Sequence, residues 1–150
     1  GEPKSAFNKA MSFSRTKAMS LSDQFCVERH KNDFLDLVSN KLDIIFANEQ
    51  EIKSLIDAKD FEDVVEFGKQ IRKILIITRG EKGSVAIKNK EVMECKSKTD
   101  LKIVDLTGAG DLFAAGFLHG FINNISTKEA LEKGTDMSAK IIQKVGARLN

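Results

Sequence analysis

Ile74-Leu75-Ile76-Ile77-Thr78 runs for four residues without a polar side-chain atom before its closing threonine. A strand that alternates can leave one face in water, but a continuous apolar run needs cover on both faces. That is the condition of a central strand in a parallel sheet. A second such run, Asp43-Ile44-Ile45-Phe46-Ala47, follows a polar turn. Between and after the two, apolar residues return at helical spacing: Ile52, Leu55 and Ile56, then Val64, Val65, Phe67 and Ile71. This predicts helices over 49–56 and 61–71. Helices alternating with buried strands specify an α/β fold, a mainly parallel sheet with helices packed on it.

The remaining segments extend that pattern. Ala6, Phe7, Ala10, Met11 and Ser14 form a stripe that predicts a helix over about 3–15. Ala18 to Ser22 alternates as a short strand, and Phe34, Leu35, Leu37 and Val38 recur at helical spacing. Ser84–Ile87 and Val92–Cys95, joined through Asn89-Lys90, predict a hairpin. Lys102-Ile103-Val104-Asp105 predicts one more strand, and Leu112 to Ile122 a strongly apolar helix. Ser126 with Glu129 is a capping box. It opens a last helix carrying Ala130, Leu131, Met137, Ile141, Ile142 and Val145, with Gly146 as its expected C-cap.

With one proline, no repeat and no low-complexity linker, the 150 residues read as one continuous unit, large enough for a core. Lysines and acidic residues are interleaved and the net charge is only +2, which describes a solvated surface and argues against a nucleic-acid partner. No stretch approaches the roughly 18 apolar residues of a membrane span, and the first residues lack a signal-peptide pattern. The expected location is cytoplasmic. Gly1-Glu2-Pro3-Lys4 runs directly into a helical pattern without an initiator Met, the expectation for a chain that begins mid-protein. Cys26 and Cys95 lack metal spacing and are expected to be reduced, Cys26 buried within Phe25-Cys26-Val27. His30 and His119 have no ligand-spaced neighbours, so no zinc site is expected.

Parallel sheets bind ligands beyond the C-terminal ends of their strands. Three turns fall there: Asn48–Glu51, Thr78–Gly83 and Thr107–Asp111. The last belongs to Asp105-Leu106-Thr107-Gly108-Ala109-Gly110-Asp111-Leu112-Phe113-Ala114-Ala115-Gly116, a strand running through a small-residue loop into an apolar helix. Glycines let backbone approach a ligand, and the free N–H groups of a first helical turn attract a phosphate. A carboxylate there can take a hydroxyl proton, which is what phosphoryl transfer requires beside positioning and charge stabilisation. The plainer reading gives Asp111 a preference for a helix N-terminus and the glycines a tight turn. A dinucleotide fingerprint fails because Phe113 stands where a third glycine is needed, and no P-loop run exists.

The twelve residues resemble the C-terminal signature of the ribokinase/PfkB carbohydrate kinases. This chain matches at Asp105, Gly108, Ala109, Gly110, Asp111, Ala115 and Gly116 and, just beyond the twelve, at Phe117 and Leu118, and departs at Leu106, where the family prefers a small or β-branched residue. Asp43–Glu51 is similar to the family's strand and Asn-x-x-Glu, and Thr78–Gly83 to its Thr-x-Gly-x-x-Gly. Ile141–Arg148 resembles its last helix and Gly-Ala close. Read without the family, Asn48 serves equally as a helix cap, Glu51 as a surface helix charge, and Arg79 as a solvent-facing residue rather than a phosphate ligand.

The resemblance implies a ribokinase-like three-layer αβα sandwich. Residues 1–150 would be its C-terminal, ATP-binding and catalytic-base part, with the N-terminal half and β-sheet lid absent. It implies Asp111 as base, with Gly108, Ala109 and Gly110 supplying N–H groups. Asn48 and Glu51 would hold magnesium and phosphate, Glu51 through water. Thr78, Gly80 and Gly83 would meet the nucleotide, and Gly134, Met137 and Ser138 would neighbour adenine. ATP and Mg²⁺ are implied, and some members bind K⁺ near the strand ending at Asp105. The acceptor would be a nucleoside or sugar. Ser20–His30 is similar to adenosine-kinase-type members, with Gln24 where proline is usual. A homodimer is implied for a full-length member. These residues alone would be inactive, with an open sheet edge favouring self-association. The alternatives are a sugar kinase of ribokinase or fructokinase type, a non-catalytic nucleotide- or phosphate-binding module, and a pure interaction domain.

Overall fold

The computed structural model describes residues 2–13 and 15–149, so the Ser14 of the first helical stripe lies outside the described residues. The elements run α1 (Glu2–Phe13), β1 (Ala18–Ser20), α2 (Gln24–Arg29), α3 (Lys31–Asp36), β2 (Ile44–Asn48), α4 (Glu49–Ile56), α5 (Phe61–Gln70) and β3 (Ile74–Thr78). Then come β4 (Ser84–Lys88), β5 (Glu91–Cys95), α6 (Ala109–Ile122) and α7 (Thr127–Ile141). The strands form one sheet in the order β1-β2-β3-β4-β5. The first three are parallel, and the β4–β5 hairpin joins antiparallel.

The two apolar runs sit where their composition demands. Ile44 to Ala47 and Leu75 to Ile77 are buried on both sheet faces. Ile45, Ala47, Leu75, Ile77, Val85 and Ile87 face a core built with Val27, Val38, Ile52, Leu55, Val64 and Val65 of the α2–α5 side. Ile44, Phe46, Ile76 and Ala86 face a second core with Phe113, Phe117, Ala130 and Leu131 of α6 and α7. The result is three layers. Phe46 meets Phe117 edge-on, centroids 5.6 Å apart, a preferred aromatic geometry. Helices α6 and α7 cross closely: a Cβ on Gly116 would stand 2.7 Å from the Lys133 carbonyl oxygen.

Three expectations are corrected. Lys102–Asp105 is no strand: the Val104 and Asp105 N–H groups donate to the Ile142 carbonyl at 2.8 and 3.2 Å. The α7 C-terminus therefore takes the donors that a ladder would need. Cys26 is exposed, not buried, because α2 is a short amphipathic helix that sends only Val27 inward and leaves Phe25 78% exposed. Gly146 does not cap the last helix, which ends at Ile141 with Ile142 as cap. Both cysteines are free, and no described helix is long and apolar enough to cross a membrane.

Candidate active site

Asn48 ends β2 and caps α4. Its side chain accepts the Glu51 N–H at 2.8 Å, and the Glu51 carboxylate accepts the Asn48 N–H at 2.9 Å. This reciprocal cap contributes about 1 kcal/mol to the helix. It also holds Glu51 inward: the residue is 5% exposed yet lines a cleft. Burial, partly opposed by the Asn48 N–H, raises the Glu51 pKa above the ordinary carboxylate value, and the nearby Asp23 charge adds to the rise. Glu51 is thus not the surface charge that a helix face would give.

Asn48 pairs with Thr78 across β2 and β3. The loop beyond Thr78 folds as one 3₁₀ turn over Gly80–Lys82, and the Arg79 N–H donates to the Gly83 carbonyl at 2.8 Å. Gly83 has φ 87°, and a Cβ there would lie 2.1 Å from the Cys95 carbonyl oxygen. Only glycine lets the loop lie this close to the hairpin. Arg79 does not face solvent. Its side chain is 17% exposed and pairs with Glu49 at 2.8 Å.

The third turn enters α6 earlier than apolar spacing suggests. Gly108 is the N-cap at φ 78°, and Ala109, Gly110 and Asp111 form the first turn. The Ala109 N–H donates to the Leu106 carbonyl at 3.1 Å, whereas Gly110 and Asp111 have no backbone acceptor for theirs among the described residues. The Asp105 carboxylate accepts the N–H groups of Thr107 and Gly146, each at 2.8 Å. Its pKa is lowered by the Gly146 bond first and the Thr107 bonds next.

Two clefts meet at this turn. The first, of about 500 Å³, is lined by Asn48, Glu51, Thr78, Gly108, Ala109, Gly110 and Asp111, with Ser20, Ser22 and Phe46 behind. The second, of about 690 Å³, is lined by Thr78, Gly80, Gly83, Ala109, Gly110 and Ser138, with Ile103, Ala139 and Ile142 supplying apolar walls. Thr78, Leu106, Ala109, Gly110 and Phe113 line both. All nine residues singled out by motif therefore converge on one continuous groove. Gly134 and Met137 line neither cleft, and Gly134 instead packs against the Phe113 ring. Ser20, Thr135 and Ile142 were missed as lining residues; Ser20 opens the adenosine-kinase-like segment and is the last residue of β1, two signals that could have pointed to it.

A metal at this place would have little protein to bind. Among the described residues no group of three His, Cys, Asp or Glu could enclose an ion. The two carboxylates that line the first cleft, Glu51 and Asp111, are too few to enclose an ion, and would fit only one that keeps waters and substrate oxygens in its shell.

The sandwich and groove define a ribokinase-like fold. The match to the model of the pfkB family carbohydrate kinases extends over residues 5–150; the chain belongs to that family. It is 31% identical over 122 residues to a cytidine kinase of Thermococcus kodakarensis, covering 77% of this chain and 42% of that protein. An adenosine kinase from Sinorhizobium meliloti superposes at TM-score 0.92 with 36% identity, covering 97% of this chain and 46% of the other. A probable sugar kinase from Rhizobium etli does so at 0.87 with 39% identity, covering 94% and 43%. The chain spans less than half the length of each of these relatives.

Proposed function

We propose that residues 1–150 are the ATP side and catalytic-base part of a single kinase domain that phosphorylates a hydroxyl of a nucleoside or sugar. The observation that carries this reading is the convergence of Asp111, the free N–H groups of Gly110 and Asp111, and Glu51 on one cleft that opens into a second, more apolar one. The second cleft suits a nucleotide: Gly80 and Gly83 offer backbone to the phosphates, while Ala139 and Ile142 offer apolar surface to a base. The first leaves room for an acceptor hydroxyl beside Asp111.

In-line transfer then follows. Asp111 takes the proton as the acceptor oxygen bonds to the γ-phosphorus and the bond to the bridging oxygen breaks, releasing ADP. The free N–H groups of Gly110 and Asp111 and the α6 dipole stabilise charge on the transferring group, whereas the Ala109 N–H is already given to the Leu106 carbonyl. Asn48 and Glu51 would hold Mg²⁺ through water, and the ion when bound neutralises phosphate charge. The adenosine-kinase and cytidine-kinase relatives favour a nucleoside acceptor; a ribokinase- or fructokinase-type sugar is the second choice. A cytoplasmic enzyme, a homodimer and K⁺ near Asp105 belong to the same proposal.

The full encoded polypeptide, given Mg²⁺, ATP and a panel of nucleosides and sugars, should yield ADP and one phosphorylated product by mass spectrometry. Nucleotide binding with no product from any acceptor would contradict transfer and favour a binding module.

A further inference from the structure

Arg79 stands between Thr78 and Gly80, which line the nucleotide-side cleft, yet its side chain turns away from it. Its Nε donates to Glu49 Oε2 at 2.8 Å, and its Cζ lies 3.5 Å from the centre of the Phe61 ring. The two charged side chains are 17% and 19% exposed, so salt screens them weakly. The hydrogen bond from Arg79 is the main reason that the Glu49 carboxyl is held below its usual range. Stacking on Phe61 orients the guanidinium plane, which a lysine ammonium cannot reproduce.

The placement of this triad matters more than its strength. Glu49 is the first residue of α4, flanked by the cleft residues Asn48 and Glu51, and Phe61 opens α5. The Arg79 main chain closes the next loop, donating to the Gly83 carbonyl and accepting the Lys82 N–H at 3.1 Å. One residue therefore ties together two turns that a bound triphosphate would have to touch at once. We propose that Arg79, through Glu49 and Phe61, is a positioning residue that sets the spacing between the Asn48–Glu51 corner and the Thr78–Gly83 loop for Mg·ATP. This rests on the kinase reading above.

The test uses Arg79→Met, Glu49→Gln, their double variant and Arg79→Lys in the full encoded protein. Each single change should raise KM for Mg·ATP about fivefold, and the double variant should rise no further, because the partners act as one unit. KM for the acceptor should stay within about twofold, and Arg79→Lys should behave like Arg79→Met. Without ligand, amide exchange at Glu51 and Gly83 should quicken in all variants. A lowered thermal midpoint with unchanged KM for Mg·ATP would overturn the positioning role, as would single effects that multiply in the double variant. Wild-type protein that takes up no nucleotide overturns the kinase reading instead. In that case quicker exchange at both amides still supports the brace, and unchanged exchange overturns it.

Discussion

The Asp105 carboxylate accepts the N–H of Gly146 at 2.8 Å, across 41 positions of sequence. Its other oxygen accepts the Thr107 N–H. One side chain thus joins the turn before α6 to the segment after α7, and Ala147 lies directly against Gly108. The first Asp of the signature shapes the turn; the second faces the cleft.

Asp105→Asn should loosen that joint. An amide has one acceptor oxygen, so its NH₂ would confront one of the two N–H donors. Exchange at the Gly146 amide should quicken while β3 and β4 amides keep their protection. The sign of the pH effect is set by the lowered pKa: the folded state favours the carboxylate. Wild-type stability from this group is present above the ordinary carboxylate value and is lost as pH falls through the folded one. The variant should lack that acid limb, read from thermal midpoints from about pH 5 down to about pH 2, across and below the ordinary Asp value.

Gly108→Ala should cost more than a helix-cap change normally does. The position has φ 78°, and the new Cβ would stand 2.8 Å from the Ala147 Cβ. Strain of about 1–3 kcal/mol corresponds to a midpoint lower by roughly 2–10 °C at this chain length. Adding Ala147→Gly should recover the steric part and leave the dihedral part. Full recovery would show that the left-handed conformation is not costly here.

Glu51→Gln separates stability from function. Its raised pKa means the folded state holds the proton more tightly than the unfolded chain. The resulting stabilisation is complete below the ordinary carboxylate value and is lost as pH rises through the folded one, so at pH 7 the buried charge is a cost. The glutamine variant, which can still accept the Asn48 N–H, should melt at or above the wild-type temperature at pH 7. Its Mg-dependent nucleotide affinity should nevertheless fall about tenfold, the usual scale for a lost charged contact. A lower midpoint with unchanged affinity would make Glu51 a structural cap only.

Much of this was legible because it is written locally. Ile74–Thr78 could only be a doubly covered strand, and the Ser126 capping box and the Asn48 helix cap each lie within four residues of sequence. The misses are long-range. Lys102–Asp105 has strand composition, but the Ile142 carbonyl that claims its N–H groups is far along the chain. Gly146 resembles a helix cap until Asp105 is seen to bind it. Phe25-Cys26-Val27 is apolar as a string, while its six-residue helix turns two of the three outward. Arg79 looked free because neither Glu49 nor Phe61 is near it in sequence. The nine motif residues lie together because strand ends gather them; Thr135 belongs to no motif, and Ser20, which opens the adenosine-kinase-like segment, carried no role of its own.

The most direct test is Asp111→Asn in the full encoded protein, assayed for ADP formation and for nucleotide binding together. As the base, Asp111 should account for at least about a hundredfold in turnover, with affinity for Mg·ATP within about threefold of wild type because the N–H groups and Glu51 remain. Turnover that persists near the wild-type rate would contradict the assignment of Asp111, whatever the affinity.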